Sequence, residues 1–145
     1  MIVKASADNL HQVTDLALKL WPENAPSELE EEMCRLLQDR NSALFLNLQD
    51  GRAVGFAQCQ LRSDYVEGTE SSPVGYLEGI YVEDDCRLSG IAKALLAACE
   101  SWAKNMGCRE FASDCELHNI ESLRFHLAVG FLDANRIICF TKNLK

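Results

Sequence analysis

From Val74 to Val82 the chain reads Val-Gly-Tyr-Leu-Glu-Gly-Ile-Tyr-Val, an apolar, aromatic-rich run suited to a strand. The acidic triplet Glu83-Asp84-Asp85 follows, then Arg87-Leu88-Ser89-Gly90-Ile91-Ala92. Next comes a helical pattern that puts Ala92, Leu95, Leu96, Cys99 and Trp102 on one face. A strand that runs into a glycine turn and leaves as a helix constrains the fold more than any other feature. Such a turn aims free backbone N–H groups at one point, with the positive end of the helix dipole behind them. The result is an anion site suited to a pyrophosphate. Gly90 lets the backbone come close without a Cβ in the way, and Ala92 keeps the first helical turn thin.

The elements around this unit follow from periodicity. Residues 2–5 form a first strand. Leu10, Val13, Leu16, Ala17 and Leu20 share one face of a helix that Pro22 and Pro26 end. Ser27-x-x-Glu30 reads as a capping box opening a second helix, with Leu29, Met33, Leu36 and Leu37 inward. Ala43–Leu48 and Ala53–Leu61 are strands joined across Asp50-Gly51, a hairpin signal. Residues 62–73 form a polar loop. The helix of residues 89–105 stops at Gly107, Arg109–Ser113 is a strand, Asn119–Val129 is a helix ended by Gly130, and Arg136–Lys142 is a last strand. The 145 residues form one domain, 1–145, in the order β-α-α-β-β-β-α-β-α-β. That order fits a mixed α/β fold.

Charge narrows the partners. The net charge of −8 argues against nucleic acid, and no apolar run is long enough to span a bilayer. Seven cysteines, an odd number with no CxxC pair, read as reduced core thiols of a cytoplasmic protein, with neither a disulfide framework nor a metal site. Between Asp64 and Asp85 lie seven acids and no Lys or Arg, and Glu23, Glu28, Glu30, Glu31 and Glu32 form a second cluster. A charge run of this kind is commonly a solvated face. With an anion site embedded in it, the better reading is a field that attracts a small polycation.

The segment Arg87-x-x-Gly90-x-Ala92 resembles the acyl-CoA-binding motif of the GNAT N-acetyltransferase superfamily. Asp64-Tyr65-Val66-Glu67-Gly68-Thr69, Ser71-Ser72-Pro73-Val74, Leu77-Glu78-Gly79-Ile80 and Ala112-Ser113-Asp114 occur in the same order in one subfamily, the aminoglycoside 6'-N-acetyltransferases. The resemblance runs from Leu20-Trp21-Pro22 to the last strand. It implies the GNAT sheet, antiparallel at first and parallel near the motif, with acetyl-CoA as co-substrate and no metal. It also implies a homodimer.

Acetyl transfer to an amine needs a deprotonated amine, a polarised thioester carbonyl and a proton or solvent for the departing thiolate. Glu78 stands inside an apolar strand. It is either an inward Glu satisfied by a neighbouring Arg or amide, or a substrate contact, and the motif beside it favours the second. Asp114 ends the strand next door. It is a turn aspartate or, as the resemblance implies, the second carboxylate against the drug's ammonium groups. The resemblance makes Glu78 and Asp114 the catalytic pair and makes Trp21 and Tyr65 walls for a sugar ring. The backbone of Ile80, Tyr81 and Val82 would meet the pantetheine arm. Arg87, Leu88, Ser89, Gly90, Ile91, Ala92 and Lys93 would hold the pyrophosphate. Asn119 is implied as a further cofactor contact, and reads equally as a helix-start residue.

Two features depart from the subfamily. Asn135 stands where a glutamate is expected, with Asp133 nearby as a substitute. The region matched to a thiolate-protonating tyrosine reads Cys139-Phe140-Thr141, which leaves solvent, His118 or His126 to supply that proton. The combined reading is acetylation of the 6'-amino group of aminoglycosides, conferring resistance. The alternatives are an N-acetyltransferase for a natural polyamine or other small cationic amine, and a non-catalytic acyl-CoA-binding module.

Overall fold

Alternation along the strands decides which helix packs where. In the computed structural model, which describes residues 1–145, the strands are β1 (Ile2–Lys4), β2 (Ser42–Gln49), β3 (Arg52–Arg62), β4 (Val74–Val82) and β5 (Phe111–Ser113). The helices are α1 (Leu10–Leu20), α2 (Pro26–Gln38), α3 (Ile91–Asn105) and α4 (Ile120–Ala128). Successive strand residues face opposite sides. Leu44 and Leu46 of β2 therefore join Val13, Leu16, Leu29 and Met33 beneath α1 and α2. Ala43 and Phe45 turn the other way, to Leu95, Leu96 and Cys99 of α3. Each face of the sheet carries its own core.

The sheet runs β1-β2-β3-β4-β5. Its first three pairings are antiparallel and β4–β5 is parallel, so the mixed sheet expected from the family resemblance is present. A parallel pair needs a crossover, and α3 supplies it. The β2–β3 hairpin turns through Asp50 at φ 52° and Gly51 at φ 79°, the left-handed pair that a tight hairpin demands. None of the helices is long and apolar enough to cross a membrane.

Two expectations fail. Helix α2 does not use Ser27-x-x-Glu30 as a capping box. Pro26 occupies the first helical turn and Ala25 is the N-cap, with no side-chain cap bond. The proline's fixed φ starts the helix early, and Ser27 falls inside it. The strand Arg136–Lys142 does not form either, so the sheet has five strands where six were expected. Residues 132–145 run without regular structure, and Leu132, Ile137, Ile138 and Phe140 stay 90%, 69%, 79% and 87% exposed. A strand exists only by exchanging ladder bonds with a partner, and this arm meets none in its own chain.

Two irregularities beside β4 build the site. The β3–β4 register jumps from Gln58↔Gly79 to Cys59↔Leu77, leaving Glu78 without a partner. Such a bulge re-aims the side chains around it. On its other side, β4 pairs with β5 only at Gly75↔Phe111, Tyr76↔Ala112 and Leu77↔Ser113. From Glu78 to Val82 that edge of β4 is free.

Candidate active site

Where β4 leaves β5, a chain of contacts joins four side chains. Arg62, the last residue of β3, donates from Nε to Glu78 Oε2 at 3.0 Å and from an Nη to Glu78 Oε1 at 2.8 Å. Its guanidinium lies 3.4 Å from the centre of the Tyr76 ring. The Tyr76 hydroxyl in turn donates a short hydrogen bond to Asp114 Oδ2. The fork is charge-assisted and bidentate, so it fixes the plane of the Glu78 carboxylate as well as its position. The bond to Glu78 pushes the Arg62 guanidinium further up from its already high range. Burial, then the bond to Asp114, pushes the Tyr76 phenol well above its ordinary value, so Tyr76 stays protonated and donating.

Both readings of Glu78 therefore meet in one geometry. A neighbouring arginine does satisfy it, yet 16% of its side chain remains exposed. Asp114 is exposed and forms no ion pair. Trp21 closes one flank. It packs against Gly79, where a Cβ would sit 2.5 Å from Trp21 Cζ2, and it meets Phe56 edge-on at 6.2 Å. Only a glycine beside Glu78 admits this indole. Tyr65 is 77% exposed, while the next residue, Val66, is buried against Val74 and Tyr76 and anchors the loop. Glu110 pins the far end of that loop, accepting from the Glu70 and Ser71 amides at 2.8 Å each. Asn135 does not replace a carboxylate here: it donates to Glu67, and Asp133 pairs with Arg136.

On the opposite face lies the predicted anion turn. Gly90 is the N-cap of α3 at φ 83°, and a Cβ built there would find nothing within 4 Å. The first turn of α3 carries no acidic residue. A left-handed glycine, open space and an uncapped helix N-terminus fit a pyrophosphate. Leu88, Ser89 and Gly90 are exposed around this space, as is Lys93, while Ile91 is buried beneath it. Arg87 is engaged within its own segment. Its Nε donates to the Val82 carbonyl at 2.9 Å and its Nη1 meets Asp84 at 3.1 Å, so it ties the turn to the end of β4. Ile80 and Val82 pack toward α3 and Tyr81 toward α1 and α2, which leaves backbone at the free edge. Asn119 is the N-cap of α4, accepting from the Ser122 amide at 3.1 Å.

The acidic stretch divides electrostatically. Beside the turn, Glu83 meets Lys19 and Arg52, Asp85 meets Arg52, and Asp84 meets Arg87. Around the other face, Asp64, Glu67, Glu70 and Asp114 have no cation within ion-pair distance. The carboxylates beside the turn are thus neutralised by cations, and those around the other face are not.

Residues 10–131 match the acetyltransferase (GNAT) family. The chain belongs to that family. Its GNAT relatives include the aminoglycoside N(6')-acetyltransferase type 1 of Serratia marcescens, 41% identical with 99% of each chain covered. The enzyme of the same name from Stenotrophomonas maltophilia is 43% identical, with 97% of each chain covered. Among solved GNAT structures, AAC(6')-Iy bound to the bisubstrate analogue CoA-S-monomethyl-acetylneamine superposes with a TM-score of 0.96 at 38% identity, covering 99% of this chain and 98% of that one. The apo 6'-N-acetyltransferase of Acinetobacter haemolyticus gives a TM-score of 0.94 at 37% identity, covering 100% and 99%.

Reading the sequence missed Arg62 and Tyr76. Tyr76 had a signal, because it lies two residues before Glu78 and shares its face. Arg62 had none without the β3–β4 register.

The Gly90→Val variant combines a disfavoured φ with a side chain in the open space. Acetyl-CoA affinity should fall by at least ~10-fold in calorimetric titration, with circular dichroism unchanged. Unaltered affinity in a folded variant would remove the pyrophosphate from this turn.

Proposed function

We propose that this protein transfers the acetyl group of acetyl-CoA to the 6'-amino group of aminoglycoside antibiotics, conferring resistance. The observation that carries this reading is the pair Glu78 and Asp114, each held by its own donor on one face, at the point where β4 frees its edge. A CoA-like arm along that edge, with its pyrophosphate at Gly90, brings a thioester to the same point. Backbone N–H groups of the freed segment, from Ile80 to Val82, then polarise the carbonyl oxygen.

Roles for the side chains follow. Glu78, fixed by Arg62, holds an ammonium group of the drug. Asp114, exposed and anchored only by the Tyr76 hydroxyl, takes the proton from the 6'-ammonium directly or through water. Trp21, seated against Gly79, and Tyr65, on its anchored loop, flank a sugar ring. The unpaired acids Asp64, Glu67 and Glu70 draw the polycation toward this face. Neither member of the pair faces the core, which favours an enzyme over a mere acyl-CoA-binding module. The 37–43% identical relatives named for the 6' reaction favour aminoglycosides over polyamines. A cytoplasmic location suits both co-substrates.

The partner is a second copy of this chain. Residues 136–142 have strand-like composition and stay exposed, and β5, last in the sheet, has an unpaired outer edge. An unpaired edge and an uncovered apolar arm are costs that a homodimer removes together.

Glu78→Gln and Asp114→Asn keep shape and remove charge. Each should cut aminoglycoside kcat/KM strongly, by ~10²-fold or more for the residue that takes the proton, while acetyl-CoA binding stays intact. The base should lose kcat, and a residue that only holds the drug should lose mainly through KM. Near wild-type acetylation by both variants would put the chemistry elsewhere. For the assembly, light scattering should give twice the chain mass, and truncation after Phe131 should give monomers. A monomeric full-length protein would sink the dimer.

A further inference from the structure

Ser113 and His126 form a hydrogen-bonded pair to which the roles above assign nothing. Ser113 Oγ lies 2.8 Å from His126 Nε2. The opposite ring nitrogen, Nδ1, lies 2.6 Å from the Ser122 carbonyl oxygen, which only accepts. Nδ1 therefore carries a proton, and the Nε2–Ser113 bond works in both charge states of the ring: the hydroxyl donates to Nε2 of the neutral imidazole and accepts from Nε2 of the imidazolium. The hydroxyl has a second acceptor in the Leu77 carbonyl at 3.4 Å, so it can turn away when Nε2 gains a proton. Phe125 and Phe131 wall the ring, their centres 5.7 and 5.1 Å away. The pair is half-buried and held from two elements, β5 and α4.

Its position is what gives it a use. Ser113 faces Leu77 in the last β4–β5 pairing, so it stands where the strands part. Alternation puts Ala112 with the Val66, Val74 and Tyr76 cluster, and Phe111 with the α3 core. Ser113 therefore projects to the α3 side, where the anion turn lies, while its neighbour Asp114 meets Tyr76 on the other. A thioester seated in the gap would have its drug-facing side toward Asp114 and its sulfur side toward Ser113.

We propose that Ser113 and His126 are the proton relay that delivers hydrogen to the departing CoA sulfur. The inference rests on the acetyl-transfer reading. As the C–N bond forms and the C–S bond breaks, the bond's electron pair goes to sulfur. The Ser113 hydroxyl proton moves to that sulfur. The proton on Nε2 of the imidazolium moves to Ser113 Oγ, leaving a thiol, an intact serine and a neutral His126. Solvent then returns to His126 the proton that the attacking nitrogen lost. Ser113 is the group that touches the reacting atom, and His126 acts through it.

A leaving group that needs no proton separates this role from a structural one. With acetyl-CoA, His126→Gln and Ser113→Ala should each lose ~10²-fold in kcat, with acetyl-CoA affinity unchanged. With an aryl thioester of low thiol pKa as acetyl donor, both variants should approach the wild-type rate. An equal loss with both donors would overturn the relay, as would no loss with acetyl-CoA. A second readout needs no turnover. In the wild-type enzyme, the His126 ring-nitrogen resonances should move on adding CoA and stay put with desulfo-CoA. Resonances that respond identically to the two ligands would place the sulfur away from the pair. If the wild type fails to acetylate aminoglycosides, the function proposed above falls, and this spectroscopic test still decides whether the CoA sulfur meets the pair.

Discussion

Strands β4 and β5 are bonded to each other for three residues and then separate, and the site depends on that parting. A parallel ladder of this length contributes little by itself. Side chains hold it in place: Phe111 sits in the α3 core, and Tyr76 reaches across to Asp114. Past Leu77, β4 goes on with only β3 beside it. One freed edge and two faces with different cores are thereby brought to a single point.

The two faces are chemically unlike for a simple reason. Ser113, the last residue of β5, turns to the α3 side, Asp114 just past the strand end meets Tyr76 on the other, and the bulge at Glu78 keeps that carboxylate on the side of Tyr76 and Arg62. The acids beside the glycine turn are paired with Lys19, Arg52 and Arg87, which lowers the repulsion an anion would meet there. The acids of the 64–70 loop are left free, which suits a cation. A net charge of −8 would otherwise be a poor setting for a phosphate ligand. Local pairing resolves the conflict.

Much of this was legible in the sequence, and the parts that were not share a cause. The bounds of β4 and the glycine turn follow from local composition, so they were read correctly. So were Gly107 as the stop of α3 and the Asp50-Gly51 hairpin. The capping box failed because a proline one position earlier set the helix start, a competition between two local signals. Arg62 and Glu78 are 16 residues apart, and Tyr76 and Asp114 are 38 apart; these contacts exist only once the strand register is fixed. The strand Arg136–Lys142 has strand-like composition but no ladder within its own chain. Composition predicts the tendency to form a strand, and a partner decides whether it forms.

The central claim is that Glu78 and Asp114 act on one cation from one face. A double-mutant cycle on aminoglycoside kcat/KM, combining Glu78→Gln with Asp114→Asn, tests it most directly. Residues that share one ligand couple, by ~0.5–3 kcal/mol, whereas independent sites add. The account predicts that the double variant loses clearly less than the product of the single losses. Losses that simply multiply would mean the two carboxylates serve separate sites, and the arrangement described for the β4–β5 parting would be wrong.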